Sequence, residues 1–385
     1  MVQGRRLRTL AAAVVVAVTA AGPACSGDGS GPPADRAVPR PDRSASDAAA
    51  LDRASAPDAG RDRSSALEAW RLVDQAVAPP RKWSLAGSQQ VTRFVSAELF
   101  NGRVYAGTHY GDSSEIYDYP PLAKQQFFGG ESVLDFEAFG GSLYSAHENG
   151  SKLYRLSGGH WDLVHDHPGW SYMFFLRQFQ GALYAIGGNA QGISVLRTTN
   201  GQDYTKTADL AGWLWLPVEY QGELYLLGHE GQAYDALPAA GGKSPSGSSF
   251  TLVAALGGGP EYQCAHAWNG FLYLGTGGWT NDRQSNDSAR IYRFDGTIRT
   301  QVHAVAMNGV TSIASSATRL YATVDSGWER AAGQSRIYES SDGLTWSLMN
   351  TFPEPEMRQV VVRPDGSLLT FGGRAGVSGV VYAFE

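Results

Sequence analysis

Several histidines, arginines and tryptophans stand in polar, glycine-rich stretches of this sequence, where their side chains could do chemistry. His109 and Tyr110 are adjacent. With His147 and an arginine they could supply a β-elimination beside a uronate, the arginine neutralising the carboxylate, the imidazole taking a proton and the phenol protonating the leaving oxygen. Arg93, Arg358 and Arg374 could converge on one anion, because guanidinium holds a carboxylate through two parallel hydrogen bonds. The competing reading pairs them with Glu354, Glu356 or Asp112. Trp170, Trp279 and Trp328, with Asp325, have the chemistry of sugar recognition, a ring face against C–H groups and a carboxylate on hydroxyls. His165-Asp166-His167 offers two imidazoles and a carboxylate to a divalent metal, against the plainer reading of hydrated or hydrogen-bonded histidines.

The background composition excludes several classes. The 385 residues include 47 Gly, 18 Tyr and 10 Trp with only 18% charged residues, which points to many short strands and tight turns and excludes a coiled coil. A net charge of -6 gives no field to attract a phosphate backbone, so nucleic acid is not an expected partner. Two cysteines cannot staple a disulfide scaffold or build a four-thiolate zinc site. No Gly-x-Ser-x-Gly elbow and no phosphate-cradling loop entering a helix is present.

Residues 1–25 read as an export signal: Arg5, Arg6 and Arg8 precede an apolar run that ends in small residues before Cys25. Cys25 resembles the lipid-accepting cysteine of bacterial lipoproteins, although Gly22 stands where that family prefers leucine. The resemblance implies a lipid-anchored envelope protein of the outer membrane, with Ser26 giving no retention signal, or a secreted protein if Cys25 is not acylated. Residues 26–64 lack aromatic residues and read as a disordered tether, and 65–81 as a short helix and linker opened by Ser65-Ala-Leu-Glu68.

The elements that must position the candidate residues follow from a repeat, aromatic-x-Gly-x-aliphatic-Tyr. Its tyrosines are Tyr105, Tyr144, Tyr184, Tyr225, Tyr273 and Tyr321, with Leu369 in the seventh place, at spacings of 39, 40, 41, 48, 48 and 48. A period near 40 with strand-like residues predicts an all-β, seven-bladed β-propeller of four-stranded antiparallel blades over residues 82–385. Downstream pairs mark third strands, at Ile116-Tyr117, Leu153-Tyr154, Val195-Leu196, Ala233-Tyr234, Ile291-Tyr292, Ile337-Tyr338 and Val381-Tyr382. The last repeat lacks a fourth strand, and Lys82-Trp83-Ser84-Leu85 has that pattern, so a strand around Trp83 is predicted to complete the last blade and close the ring.

The turn Ser340-Ser-Asp-Gly-Leu-Thr-Trp346 resembles the Asp-box of BNR, sialidase-like propellers, one residue short between Asp342 and Gly343, and Thr198-Thr-Asn-Gly-Gln-Asp-Tyr204 is a more degenerate copy. The resemblance implies a structural turn between third and fourth strands. Sialidase chemistry is not implied, since the early Phe-Arg-Ile-Pro element and an assignable Tyr/Glu pair are missing.

If each first strand lines the channel, loops joining second to third strands share a face with the blade-linking loops. That face gathers His109, Tyr110, His147, His165, His167, His229, Trp170, Trp279, Asp325, Trp328 and the three arginines; Trp213 and Trp215 could equally be inner-strand core. Cys264 reads as a small buried hydrophobe. The functional expectation is a monomeric, exported propeller that binds a glycan, with an acidic glycan favoured by the arginines and membrane contact through the anchor alone. The alternatives are a polysaccharide lyase, similar in residue types to seven-bladed lyases, and a protein-binding propeller of the envelope. No cofactor is required; a divalent metal is an open option.

Overall fold

The computed structural model describes residues 81–385 apart from 91–92, 110–113, 130–131, 149, 190–191, 211, 232–237, 278–288, 328–332 and 375–377. The residues read as leader, as tether and, except for Arg81, as the short helix and linker over 65–81 therefore lie outside the described residues, as does Cys25.

The repeated glycine is a turn residue. In five blades the two residues between first and second strands both have positive φ: Asn101 (50°) and Gly102 (78°), Gly140 (58°) and Gly141 (79°), Gln180 (47°) and Gly181 (73°), Gln221 (52°) and Gly222 (75°), Asn269 (48°) and Gly270 (78°). Two-residue hairpins of this kind match the right-handed twist of the flanking strands, and glycine enters that conformation without steric cost. The aromatic residue before the turn ends the inner strand, and the tyrosine after it lies in the second strand.

Twenty-eight strands form seven antiparallel sheets of four. Six sheets are consecutive in sequence. The seventh borrows its outer strand, Trp83–Gln89, which pairs with Ser378–Phe384 from Trp83 opposite Phe384 to Gln89 opposite Gly379. The Trp83 ring lies 5.3 Å from both Phe352 and Phe384. The seven inner strands pack side by side, the last against the first, so the ring closes as the sequence predicts. Beyond strands and turns, the described residues contain one 3-10 turn at Ala254–Leu256, and no helix among them is long and apolar enough to cross a membrane.

The third-strand marks have a structural meaning. At Ile116-Tyr117, Leu153-Tyr154, Val195-Leu196, Ile291-Tyr292 and Ile337-Tyr338 the pairing with the outer strand slips by one residue. Blade 4 departs from the reading. Its third strand is Ala239–Ser244, whereas Ala233 and Tyr234 fall outside the described residues. This strand needs no large side chains, because Leu256 and Leu227 already fill the space over Gly241, where a Cβ would come within 2.7 Å of Leu256 and 2.9 Å of Leu227.

Neighbouring blades are latched by the repeat tyrosines. The rings of Tyr144, Tyr184 and Tyr273 rest on Gly201, Gly247 and Gly343, each in the turn between third and outer strands of the next blade and each at positive φ. In the turn at Ser340–Trp346, the Gly343 N–H donates to Ser340 Oγ (2.8 Å), and the Leu344 and Thr345 N–H groups both donate to Asp342 Oδ1 (2.8 Å). These bonds hold the Asp342 carboxyl down to about 2, with those backbone donors as the main cause. Thr198 and Asn200 repeat the arrangement around Gly201.

Candidate functional site

Every inner strand carries a β-bulge at the same place, near the end where blade-linking loops enter. The unopposed residues are Val95, Leu134, Phe174, Trp215, Gln263, Thr311 and Arg358. A bulge re-aims a side chain and increases local twist. Seven equivalent bulges on seven adjacent strands set one ring of side chains around that end of the channel. The ring is chemically divided. Blades 3 and 4 contribute aromatics: Tyr172 stacks on Phe174 at 5.2 Å, Phe174 meets Trp213 at 5.6 Å and Trp215 at 6.4 Å, and Trp215 meets the His229 ring at 5.2 Å; Trp213 and Trp215 are buried inner-strand core, and Tyr172 and Phe174 are half-buried against them.

Blades 7 and 1, on the other side of the ring, contribute charge. Arg93 Nη1 lies 2.9 Å from Glu356 Oε2, and Arg358 Nε donates to Glu356 Oε1, so two guanidiniums share one buried carboxylate. Asp325 joins them from blade 6. It pairs with Gly309, and its Oδ1 accepts a 3.5 Å hydrogen bond from the Asn308 side chain. Burial pushes the Asp325 carboxyl up to about 7, with Arg358 opposing and Glu356 reinforcing the rise. On blade 5 the Gln263 amide donates to Glu261 Oε1 (2.6 Å), and His229 Nε2 lies 3.7 Å from Glu261 Oε2.

Farther along the channel all seven inner strands line a cavity of about 510 Å³. Its polar wall holds Glu98, Asp135, Glu137, Arg177 and His266. Arg177 Nη1 is 3.5 Å from Glu137 Oε2, while Asp135 and Glu137 accept the Leu176 and Gln178 backbone N–H groups of the next blade at 2.8 and 3.0 Å. Burial, reinforced by the neighbouring Glu137 charge, raises Glu98 to about 7, and burial raises Asp135 and Glu137 as well. His266 accepts or donates a 2.8 Å bond with Ser315 and is held down to about 4 by burial and by Arg177.

The residues singled out from the sequence divide. Arg93, Arg358 and Asp325 come together at the mouth, and the pairing with Glu356 is realised along with the convergence. Arg374 is exposed, one residue past the Gly373 that pairs with Glu356. His109 caps the second strand of blade 1, its N–H donating to Arg93 O at 3.2 Å, on the rung that Glu148, His229 and Asp325 occupy in other blades. His147 sits one rung lower and is fully buried, its ring 4.5 Å from both Phe128 and Tyr154 and its Nε2 2.9 Å from Ser145 Oγ. The two imidazoles stand on successive rungs of neighbouring blades and both are buried, so neither presents an open solvent-facing surface.

His165 and His167 lie at the end of the outer strand of blade 2 with rings 5.9 Å apart, His167 stacked on Trp170 at 4.0 Å. Among the described residues no group of three or more His, Cys, Asp or Glu is arranged to hold a metal. Trp170 also covers Gly187, where a Cβ would approach its ring to 2.8 Å, so much of that ring is spent on packing. Cys264 is an inner-strand residue whose buried thiol donates to Val310 O at 3.3 Å; burial pushes its pKa up, which suits packing rather than nucleophilic chemistry. Tyr110, Trp279 and Trp328 lie outside the described residues.

Sequence reasoning missed Phe174, Gln263 and Thr311, and the channel group. A signal for the latter existed: Glu98, Glu137, Arg177 and His266 each stand seven residues before a repeat tyrosine. That shared offset puts them on one level of the channel.

Fold and site together define a seven-bladed β-propeller with a polar channel opening at an aromatic and charged mouth. No protein-family model matches the chain, and no curated protein matches it. Solved structures are similar in fold. The extracellular domain of a one-component system from B. thetaiotaomicron aligns with a TM-score of 0.52 at 13% identity, over 78% of this chain and 39% of that one. A catalytically inactive variant of virginiamycin B lyase from Staphylococcus aureus, solved with quinupristin, aligns with a TM-score of 0.55 at 12% identity, over 78% of this chain and 99% of that one. This chain thus spans well under half the length of that extracellular domain. Identities this low carry the fold and nothing further.

Proposed function

We propose that this chain is an exported, lipid-anchored, monomeric propeller that binds a glycan at the mouth of its channel. The observation that carries the reading is the division of the mouth, with half-buried Tyr172 and Phe174, backed by the buried Trp213 and Trp215, on one side and Arg93, Arg358, Glu356 and Asp325 on the other. Aromatic faces supply stacking on a pyranose, and the opposite arc supplies directional polar contacts. The polar cavity beneath, at about 510 Å³, is in the range of small-ligand sites. Export and anchoring rest on residues 1–25 and on Cys25.

A lyase reading built on His109, Tyr110 and His147 is less well supported, since His147 is packed between Phe128 and Tyr154 and His109 is buried as well. The test is retention of the protein on a panel of neutral and uronate-containing polysaccharides, with ultraviolet absorbance monitored for unsaturated product. The reading expects saturable retention on at least one glycan without such product. Absence of retention on all of them, with co-purification of one envelope protein, would favour the protein-binding alternative.

A further inference from the structure

We infer that the channel cavity seats the ammonium group of a free amino sugar, among the carboxyl groups of Glu98, Asp135 and Glu137. The inference rests on the glycan-binding reading above and adds the chemical class of the sugar unit that enters the channel.

The cavity is continuous with the mouth. Gln263 and Thr311, unopposed at the bulges of blades 5 and 6, also line it, so its upper wall reaches the level of the bulge ring. Below that level one side of the wall is acidic. Glu98, Glu137, Arg177 and His266 stand opposite Tyr105, Tyr144, Tyr184 and Tyr273, which places them on one rung of blades 1, 2, 3 and 5. Asp135 precedes Glu137 by two residues on the same strand, and the inner strands of blades 1, 2 and 3 pack side by side. Three carboxyls thus border one space of about 510 Å³ with a single guanidinium beside them.

Their contacts leave negative charge uncompensated. Glu137 Oε2 lies 3.5 Å from Arg177 Nη1, and Asp135 and Glu137 accept backbone N–H groups of blade 3. Glu98 has no ion pair among the described residues, and Glu219 of blade 4 acts on the same Arg177. The other titratable groups on the wall, Cys264 and His266, are neutral near pH 7 because both are buried. Blades 6 and 7 present Ser312 and Gln359, which are uncharged and bonded to each other at 3.2 Å. Where water screens little, an ammonium is the ligand group that offsets such an excess, through three donors on one charge. A hydroxyl brings no charge, an N-acetyl group removes it, and a uronate adds to the excess. A sugar ring suits the remaining space, since Phe136, Phe175 and Ile313 alternate with these polar groups. No covalent bond changes.

Burial holds Glu98 protonated up to about 7, so an ammonium arriving below that pH expels a proton to solvent. Affinity for the amine therefore rises by up to about tenfold per unit as pH approaches 7. The experiment is isothermal titration of the full chain with a glucosamine tetramer, its fully N-acetylated counterpart and oligogalacturonate. It is run at pH 6 in two buffers of different ionisation heat and repeated at pH 7. The expected result is proton release with the amine, tighter binding at pH 7, and affinity lower by about tenfold or more for the acetylated tetramer. Glu98→Gln, which removes no bond to another blade, should lose about tenfold or more in affinity for the amine at pH 7 while its denaturant midpoint shows it folded. General attraction of a cationic oligomer to an acidic chain would survive Glu98→Gln, and that result overturns the inference. Equal binding of the amine and its acetylated form, or binding of oligogalacturonate alone, also overturns it and leaves the glycan reading standing. Retention of none of the three, nor of any glycan in the panel, ends both.

Discussion

The Tyr273 ring of blade 5 rests directly on Gly343 of blade 6, so that a Cβ on the glycine would overlap the tyrosine hydroxyl. Gly343 also has φ of +69°. One residue thus satisfies a turn that needs a left-handed backbone and an interface that needs empty space. Gly343→Ala violates both requirements and should destabilise the propeller by about 2–5 kcal/mol. Gly102→Ala, at φ +78° with nothing within 4 Å, violates only the first and should cost about 1–2 kcal/mol. Denaturant titration of the two variants checks the difference; equal losses would mean that the latch contributes nothing.

Ring closure depends on the borrowed strand. Trp83 packs edge-on against Phe352 and tilted against Phe384, so Trp83→Ala should cost about 2–4 kcal/mol. Deleting residues 81–89 exposes the edge of Ser378–Phe384 and should give a chain that loses cooperative unfolding and self-associates, as followed by thermal denaturation and size-exclusion chromatography.

The channel carboxyls make stability fall as pH rises. Glu98 keeps its proton in the folded chain up to about 7, whereas an unfolded glutamate ionises near 4.5. Between those values the folded state binds the extra proton, and stability is lost progressively, by up to about 3 kcal/mol from this residue. His266, held neutral down to about 4, acts in the opposite direction below its ordinary value of 6.5. The clean comparison is therefore Glu98→Gln against wild type. The variant should be more stable at pH 8 and should lose that advantage by pH 4, as measured by denaturant midpoints.

The ring was legible from the sequence because its signals are short-range: a turn glycine, the tyrosine after it and an aliphatic-aromatic pair each report a local backbone state. Blade 4 was misread where those signals fade, since Ala239–Ser244 is a strand of small residues made possible by Leu227 and Leu256 from other elements. The site was half legible. Arg93 and Arg358 were visible as candidates, but their shared carboxylate depends on blade 7 meeting blade 1, a contact between opposite ends of the ring's sequence. His147 could not be told from His109, because one rung of strand register decides between packed interior and strand end. The seven bulges leave no residue-type signature, so nothing in the sequence singles out Phe174.

The anchor is tested by fractionation. Cys25→Ser should move the protein from the membrane to the soluble exported fraction with the propeller intact; a variant that stays with the membrane contradicts the assignment of Cys25.

The division of the mouth into an aromatic and an arginine arc is tested most directly by titrating the wild-type chain, Phe174→Ala and Arg358→Ala with the glycan that the panel selects, following tryptophan fluorescence and calorimetry together. The account predicts a saturable fluorescence change in the wild type and at least a tenfold weaker affinity in each variant, about 1.4 kcal/mol or more, with folding retained. Undiminished affinity in both folded variants would place the ligand elsewhere and contradict it.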